Sequence, residues 1–257
     1  MYIVGMNFSQ VLEYVPRHGT MAELGVKRGY NARRMFKQLQ PTAMHLVDPW
    51  AMEIDPDDPN ERARAERAEF DEYYRQTVEW SESEEAEGKV TVTRNYAVEA
   101  SLQFPDNYFD FIYVDTADTY DGLFGDLSAY GPKMKATGIL ACDDFYDIRY
   151  ATHKMKLRAP RSETRALCNL NAANDFCEMY GWEILFITDE YVPDRRPPRF
   201  FAGKVGADGD AHRLLDRVLR VTPWAVEVAN PRDIRQTMFI PEGSKDVNER
   251  RFFTRVL

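Results

Sequence analysis

The sequence predicts an α/β fold in which a mostly parallel sheet is covered by helices on both faces. Short apolar runs alternate with segments of helical periodicity along most of the chain. The apolar runs are separated by helical segments of about 10–20 residues, which is the spacing of strand–helix–strand units. The chain has 257 residues, of which 44% are hydrophobic, and this fits one large domain with or without a small appendage.

The first half of the chain supplies three predicted strands and two predicted helices. The strands are 21–26, 43–47 and 89–93. Between the first two strands, Ala32, Met35, Phe36 and Leu39 recur at the spacing of one helix face, and Pro41 ends that helix. Residues 61–87 are rich in charge and predict a long helix with one solvated side.

The second half continues the alternation up to residue 205. Strands are predicted at 109–114, 138–142, 182–188 and 200–205. One helix carries Leu123, Leu127, Tyr130 and Met134 on a single face, and another spans 169–180. We therefore expect one domain over 1–205, with a lid or acceptor-binding insert at 146–168. A C-terminal extension over 206–257 is expected to hold an amphipathic helix and a tail.

Charge and cysteine content narrow the classes of partner. Lys and Arg number 33 against 42 Asp and Glu, which gives a net charge of -9. An acidic chain is poorly matched to nucleic acid or anionic membranes, so both are disfavoured as partners. The three cysteines form no CxxC pair, the first residues do not resemble a signal peptide, and no run approaches 18 apolar residues. The expected location is the cytoplasm.

Acidic residues stand at the ends of most predicted strands. Glu23 lies in the first strand, Asp48 ends the second, Asp115 ends the fourth, and Asp143 with Asp144 ends the fifth. In open α/β sheets, ligands bind beyond the carboxyl ends of the strands. These acids are therefore the first candidates for a functional site.

A glycine turn leaves the first strand, with Gly25 and Gly29 in the spacing E-x-G-x-x-x-G. Glycine permits a tight turn and a close approach of backbone to a ligand. The spacing differs from the G-x-G-x-x-G turn of dinucleotide-binding proteins. Asp48 follows Gly29 by 19 residues, and its carboxylate can accept both hydroxyls of a ribose.

With these motifs, residues 18–145 resemble class I S-adenosylmethionine-dependent methyltransferases, most of all small bacterial O-methyltransferases that act on free metabolites. The resemblance implies a Rossmann-like sheet that is mostly parallel, completed by an antiparallel hairpin near 182–205. It implies S-adenosylmethionine as cofactor, with Asn95, Tyr96 and Ala97 lining the adenine pocket. The implied cofactor-binding residues are Glu23, Leu24, Gly25, Val26, Gly29, Asp48, Pro49, Trp50, Asn95, Tyr96, Ala97 and Asp115.

Methyl transfer to a hydroxyl needs in-line alignment and removal of a proton. The candidate catalytic residues are Asp115, Asp143 and His153. Some relatives hold a divalent metal on carboxylates at the matching strand ends, so Asp115, Asp143 and Asp144 are the candidate ligands of Mg²⁺. The other interpretation has Asp115 capping the next helix and Asp143 or Asp144 facing cofactor or solvent. Asp118 stands where relatives often carry a histidine, which argues against a histidine base at that position.

Two alternatives to an O-methyltransferase stay open. The first is a methyltransferase-like module that binds the cofactor without transferring methyl. The second is a nicotinamide-dependent oxidoreductase, which the glycine spacing disfavours. Apolar residues of the C-terminal tail, among them Phe239 and Phe252, allow either a homodimer contact or packing on the same chain.

Overall fold

The computed structural model describes residues 1–51, 61–116, 119–145, 169–189, 198–239 and 251–256. Within these residues, nine strands form one sheet in the order β4-β3-β2-β5-β6-β8-β7-β1-β9. The strands are β1 (Tyr2–Val4), β2 (Thr20–Leu24), β3 (Ala43–Asp48), β4 (Val90–Arg94), β5 (Phe109–Val114), β6 (Met134–Cys142), β7 (Trp182–Thr188), β8 (Phe200–Lys204) and β9 (Ala225–Glu227). Neighbours from β4 to β6 are parallel, whereas β8 is antiparallel to both β6 and β7. The predicted mixed sheet with an antiparallel hairpin is thus confirmed.

Helices cover both faces of this sheet, as predicted. They are α1 (Phe8–Leu12), α2 (Tyr30–Leu39), α3 (Glu61–Ala86), α4 (Ala97–Ser101), α5 (Tyr120–Tyr130), α6 (Asn169–Tyr180) and α7 (Asp210–Val221). One buried cluster joins the sheet to α4, α5 and α6 through residues such as Leu123 and Phe176. A second cluster joins the opposite face to α1, α2 and α7 through residues such as Met35 and Leu214.

Two details of the predicted element order are corrected. Met134 begins β6 instead of continuing α5, because the helix ends at Tyr130 and Gly131-Pro132 opens a short 3₁₀ turn. The segment before the first predicted strand holds β1 and α1, which the sequence analysis did not predict. Strand β1 extends the sheet beyond the predicted hairpin by pairing in parallel with β7.

Helix α7 and strand β9 of the C-terminal extension pack on the sheet. Helix α7 contacts β6, β7 and β8, and β9 pairs antiparallel with β1 at the sheet edge. A separate antiparallel pair is formed by β10 (Ile234–Phe239) and β11 (Arg251–Val256). The predicted insert at 146–168 lies outside the described residues. No helix in the described part of the chain is both long and apolar enough to span a bilayer.

Candidate functional site

A cavity of about 710 Å³ opens at the carboxyl ends of β2, β3 and β5, between α4 and α5. This volume is in the range of small-molecule sites. The lining residues are Gly25, Lys27, Asp48, Pro49, Ala51, Phe70, Tyr96, Ala97, Val98, Glu99, Asp115, Thr116, Asp121, Gly122, Gly125 and Asp126. Five of them are acidic and only Lys27 is basic, so the cavity favours a ligand that carries positive charge.

The turn after β2 brings the backbone of two neighbouring strands together at the cavity wall. Gly25 has a φ of +84°, and a Cβ built there would lie 1.8 Å from the carbonyl oxygen of Asp115. The Asp115 N–H in turn donates to the Leu24 carbonyl over 2.7 Å. Glycine is therefore required at position 25 both by backbone conformation and by close packing.

Asp48 fixes this turn from the end of β3. Its Oδ2 accepts hydrogen bonds from the backbone N–H groups of Val26 and Lys27, each over 2.8 Å. Its Oδ1 accepts from the Trp50 N–H. Burial raises the pKa of Asp48, and these backbone hydrogen bonds act in the opposite direction. The predicted ribose-binding acid is thus also the anchor of the glycine turn.

The structure divides the predicted cofactor residues into two groups. Gly25, Asp48, Pro49, Tyr96, Ala97 and Asp115 line the cavity, whereas Glu23, Leu24, Val26, Gly29, Trp50 and Asn95 are not among its lining residues. Trp50 is 1% exposed and packs on the ring of Tyr74 at 5.0 Å. Its indole N–H donates to the Lys27 carbonyl. Trp50 therefore holds the turn at the cavity wall without lining the cavity itself.

Glu23 is a buried acid behind the glycine turn. Desolvation raises its pKa well above the ordinary value, and the negative charges of Asp115, Asp48 and Asp143 raise it further. Within the described residues its Oε2 has no hydrogen-bond partner. The side chain is therefore held in its neutral form well above the pH at which an exposed glutamate ionises.

Asp126 is the cavity residue of greatest interest that the sequence analysis missed. It lies on α5, is 7% exposed, and accepts a hydrogen bond from the Thr116 hydroxyl over 2.6 Å. Burial raises its pKa to about 6. The available signal was Asp126 between Leu123 and Leu127, which puts a charge beside the apolar positions of the helix.

Asp115 lies on the cavity wall, and its Oδ2 is 3.4 Å from the amide nitrogen of Asn31 on α2. Asp143 lies at the end of the adjacent strand β6 and is 8% exposed. Both oxygens of Asp143 are engaged: Oδ1 accepts from the Asp144 N–H, and Oδ2 pairs with Arg199 at 3.1 Å. His153, the third predicted catalytic residue, and Asp118 lie outside the described residues.

The Mg²⁺ site predicted from the sequence remains a prediction. Across the described ranges, no group of three or more acidic, histidine or cysteine side chains is arranged to hold a metal ion. Asp115, Asp143 and Asp144 lie near one another around a small space at the strand ends. One oxygen of the Asp143 carboxylate pairs with the Arg199 guanidinium at 3.1 Å, so that oxygen already has a cation beside it.

The comparison of the sequence with family models supports the resemblance over part of the chain. Residues 22–145 match the model of a family described as a methyltransferase domain. This confirms the resemblance over the segment that runs from β2 to the end of β6 and that contains most of the cavity wall. No curated protein sequence matches the chain.

Solved structures similar to the chain are remote in sequence. One is a candidate sarcosine dimethylglycine methyltransferase from Galdieria sulphuraria, with 15% identity, a TM-score of 0.45, and coverage of 69% of this chain and 58% of that chain. Another is a methyltransferase from Podospora anserina with S-adenosylhomocysteine bound, with 13% identity, a TM-score of 0.47, and coverage of 72% and 71%. A third is an S-adenosylmethionine-dependent methyltransferase from Aquifex aeolicus, with 14% identity, a TM-score of 0.46, and coverage of 74% and 85%. At these values the similarity assigns no substrate.

Proposed function

We propose that the protein transfers a methyl group from S-adenosylmethionine to an oxygen of a small-molecule acceptor. The observation that carries the proposal is the acidic cavity at the carboxyl ends of β2, β3 and β5, which is built largely from the methyltransferase domain. S-adenosylmethionine supplies a sulfonium methyl group and carries a net positive charge, which the excess of carboxylates around the cavity complements.

The lining residues fit the parts of this cofactor. Asp48 stands at the end of β3, beside Gly25, where its carboxylate can meet ribose hydroxyls. Tyr96 and Ala97 begin α4 and, with Gly122 and Gly125 of α5, leave room for a flat base between the two helices. Lys27, the one basic lining residue, offers a partner for the carboxylate of the methionine half.

Asp115 is the proposed general base. It follows the central strand β5 and lines the cavity, whereas Asp143 is not among the lining residues of the cavity and pairs with Arg199. A carboxylate there can take the proton of an acceptor hydroxyl while the wall excludes water. Asp143 is assigned a supporting role beside it, and the choice of oxygen as the methylated atom rests on the resemblance to O-methyltransferases.

A small acceptor is favoured over nucleic acid because the acidic lining would repel a phosphate backbone. The first test is calorimetric titration of the full chain with S-adenosylmethionine and S-adenosylhomocysteine, with NAD as the control. Micromolar binding of the two sulfur compounds without binding of NAD is the expected result. Binding of NAD alone would refute the proposal and favour an oxidoreductase.

Turnover separates an enzyme from a silent binding module. S-adenosylhomocysteine formation would be followed with a panel of phenols, carboxylic acids and amines, and with ¹³C-methyl-labelled cofactor. O-methyl and N-methyl products give ¹³C resonances in different regions, so the spectrum identifies the methylated atom. Products labelled only on nitrogen would overturn the choice of oxygen, and cofactor binding without any product would favour the binding module.

A further inference from the structure

Arg199 is a buried cation among the acidic strand ends. It precedes β8, is 1% exposed, and pairs through Nη2 with Asp143 at 3.1 Å. Its Nε donates to the Tyr113 hydroxyl over 2.6 Å, and its guanidinium lies 4.7 Å from the ring centre of Phe8. A buried charge is tolerated only with partners of this kind, so the guanidinium and the Asp143 carboxylate depend on each other.

The backbone fixes where this guanidinium sits. The Arg199 N–H donates to the Thr188 hydroxyl over 2.9 Å, and the Thr188 N–H donates to the Arg199 carbonyl over 2.9 Å. These bonds tie the approach to β8 to the end of β7. The position of the charge is therefore set by the sheet itself.

The acidic side chains near Arg199 explain why a positive charge is needed at this place. Glu23, Asp115 and Asp143 come from three adjacent strands, and the charges of Asp115 and Asp143 both disfavour ionisation of Glu23. Negative charges close together in a low-dielectric interior repel one another strongly unless a positive group lies beside them. Arg199 is a cation that pairs with Asp143 in a buried position.

We propose that Arg199 takes the place of a divalent metal at the strand ends, balancing their negative charge and holding Asp143 in position beside Asp115. The inference deepens the proposed function by making the methyl transfer metal-independent. A metal ion at this point would have to displace the guanidinium from Asp143 Oδ2 and would lie close to its positive charge. Arg199 is a positioning residue, since it acts through Asp143.

The test measures metal binding directly. Mn²⁺, which prefers the same oxygen ligands as Mg²⁺, would be titrated into the full chain and its free fraction read by electron paramagnetic resonance. The wild-type protein should leave the free Mn²⁺ signal unchanged. Arg199→Met removes the charge but keeps an apolar side chain of similar length, and it should bind Mn²⁺ and lower the free Mn²⁺ signal. Arg199→Lys keeps a positive charge and should behave as the wild type.

A matched control is Arg213→Met, which breaks an exposed ion pair with Asp210 on α7 and should leave Mn²⁺ binding unchanged. Mn²⁺ binding by the wild-type chain that is lost in Asp115→Asn would overturn the inference, and so would a folded Arg199→Met variant with no gain in Mn²⁺ affinity. If Arg199→Met fails to fold, the wild-type titration decides alone.

Calorimetry with S-adenosylhomocysteine on the same samples separates the two proposals. Binding of the sulfur compound together with Mn²⁺ at the strand ends would refute metal independence and leave the proposed function standing. If neither S-adenosylhomocysteine nor Mn²⁺ binds, the proposed function is refuted, whereas the role of Arg199 as the balancing charge still stands.

Discussion

Replacement of Asp126 by asparagine tests whether the buried carboxyl group in the cavity wall lowers the stability of the protein. The carboxyl group is buried on α5, and burial raises its pKa from 3.8 to about 6. Asparagine has nearly the same shape, and its side-chain oxygen can still accept the hydrogen bond of the Thr116 hydroxyl. The substitution therefore removes the charge while it keeps the packing.

The magnitude follows from the linkage between pKa and stability. A group whose pKa is higher in the folded protein favours folding when protonated, so its contribution is lost as the pH rises from about 4 to about 6. A shift of about 2 units corresponds to a penalty of about 3 kcal/mol above pH 6. We expect Asp126→Asn to raise the free energy of unfolding by up to about 3 kcal/mol at pH 8, and to change it little at pH 4.

The assay is urea denaturation of wild type and variant at pH 4 and pH 8, with the free energy of unfolding extrapolated to water. A stabilisation that appears only at pH 8 is the expected result. Equal destabilisation at both pH values would refute the reasoning, because it would show that the carboxyl group contributes through its hydrogen bond and not through its charge. A stabilised variant with weaker S-adenosylhomocysteine binding would identify the ionised carboxylate as part of the ligand site.

Three further predictions concern the glycine turn and the acids beside it. Asp48→Ala removes the acceptor of three backbone N–H groups, so it should lower the free energy of unfolding by about 4 kcal/mol and abolish S-adenosylhomocysteine binding in calorimetry. An unchanged midpoint of denaturation would contradict the anchoring role. Gly25→Ala forces a Cβ into the Asp115 carbonyl and should lower the free energy of unfolding, measured in urea, by more than about 3 kcal/mol. At Gly181, which has a φ of +70° and open space around it, the change to alanine should lower that free energy by only about 1–2 kcal/mol. Equal losses at the two glycines would show that backbone conformation alone matters. Glu23→Gln should stabilise the protein at pH 8 and not at pH 4, since burial raises the pKa of Glu23; a loss of stability at pH 8 would show that its charge is compensated in the fold.

The core of the fold could be predicted because its signals are local. The strands β3 and β7 and the helices α3 and α6 follow from apolar runs and helical periodicity within single segments. Strand β1 has three residues and depends on pairing with β7 and β9 from the far end of the chain. No local pattern carries that information.

The candidate site was predicted where a residue ends a strand and missed where it depends on tertiary packing. Gly25, Asp48 and Asp115 could be located because strand ends meet at one edge of a parallel sheet. Arg199 follows a proline-rich segment, where an arginine is typical of a solvated surface. Only the pairing of β8 with β6 and β7 places it beside Asp143.

The double role of Asp48 changes how binding data on its variants must be interpreted. The same carboxylate holds the N–H groups of Val26 and Lys27 and faces the cavity, so loss of cofactor binding in Asp48→Ala has two physical causes. A ligand stabilises the folded state by an amount set by its affinity. Loss of the hydrogen bonds between Asp48 and the turn would lower the free energy of unfolding even when no ligand is present. Asp48→Asn separates them, because its amide oxygen can still accept hydrogen bonds from the turn while the charge and the second acceptor are lost. If Asp48→Asn keeps most of the ligand-free stability yet binds S-adenosylhomocysteine at least tenfold more weakly, the carboxylate meets the ligand itself. If stability and affinity fall together, Asp48 acts through the turn.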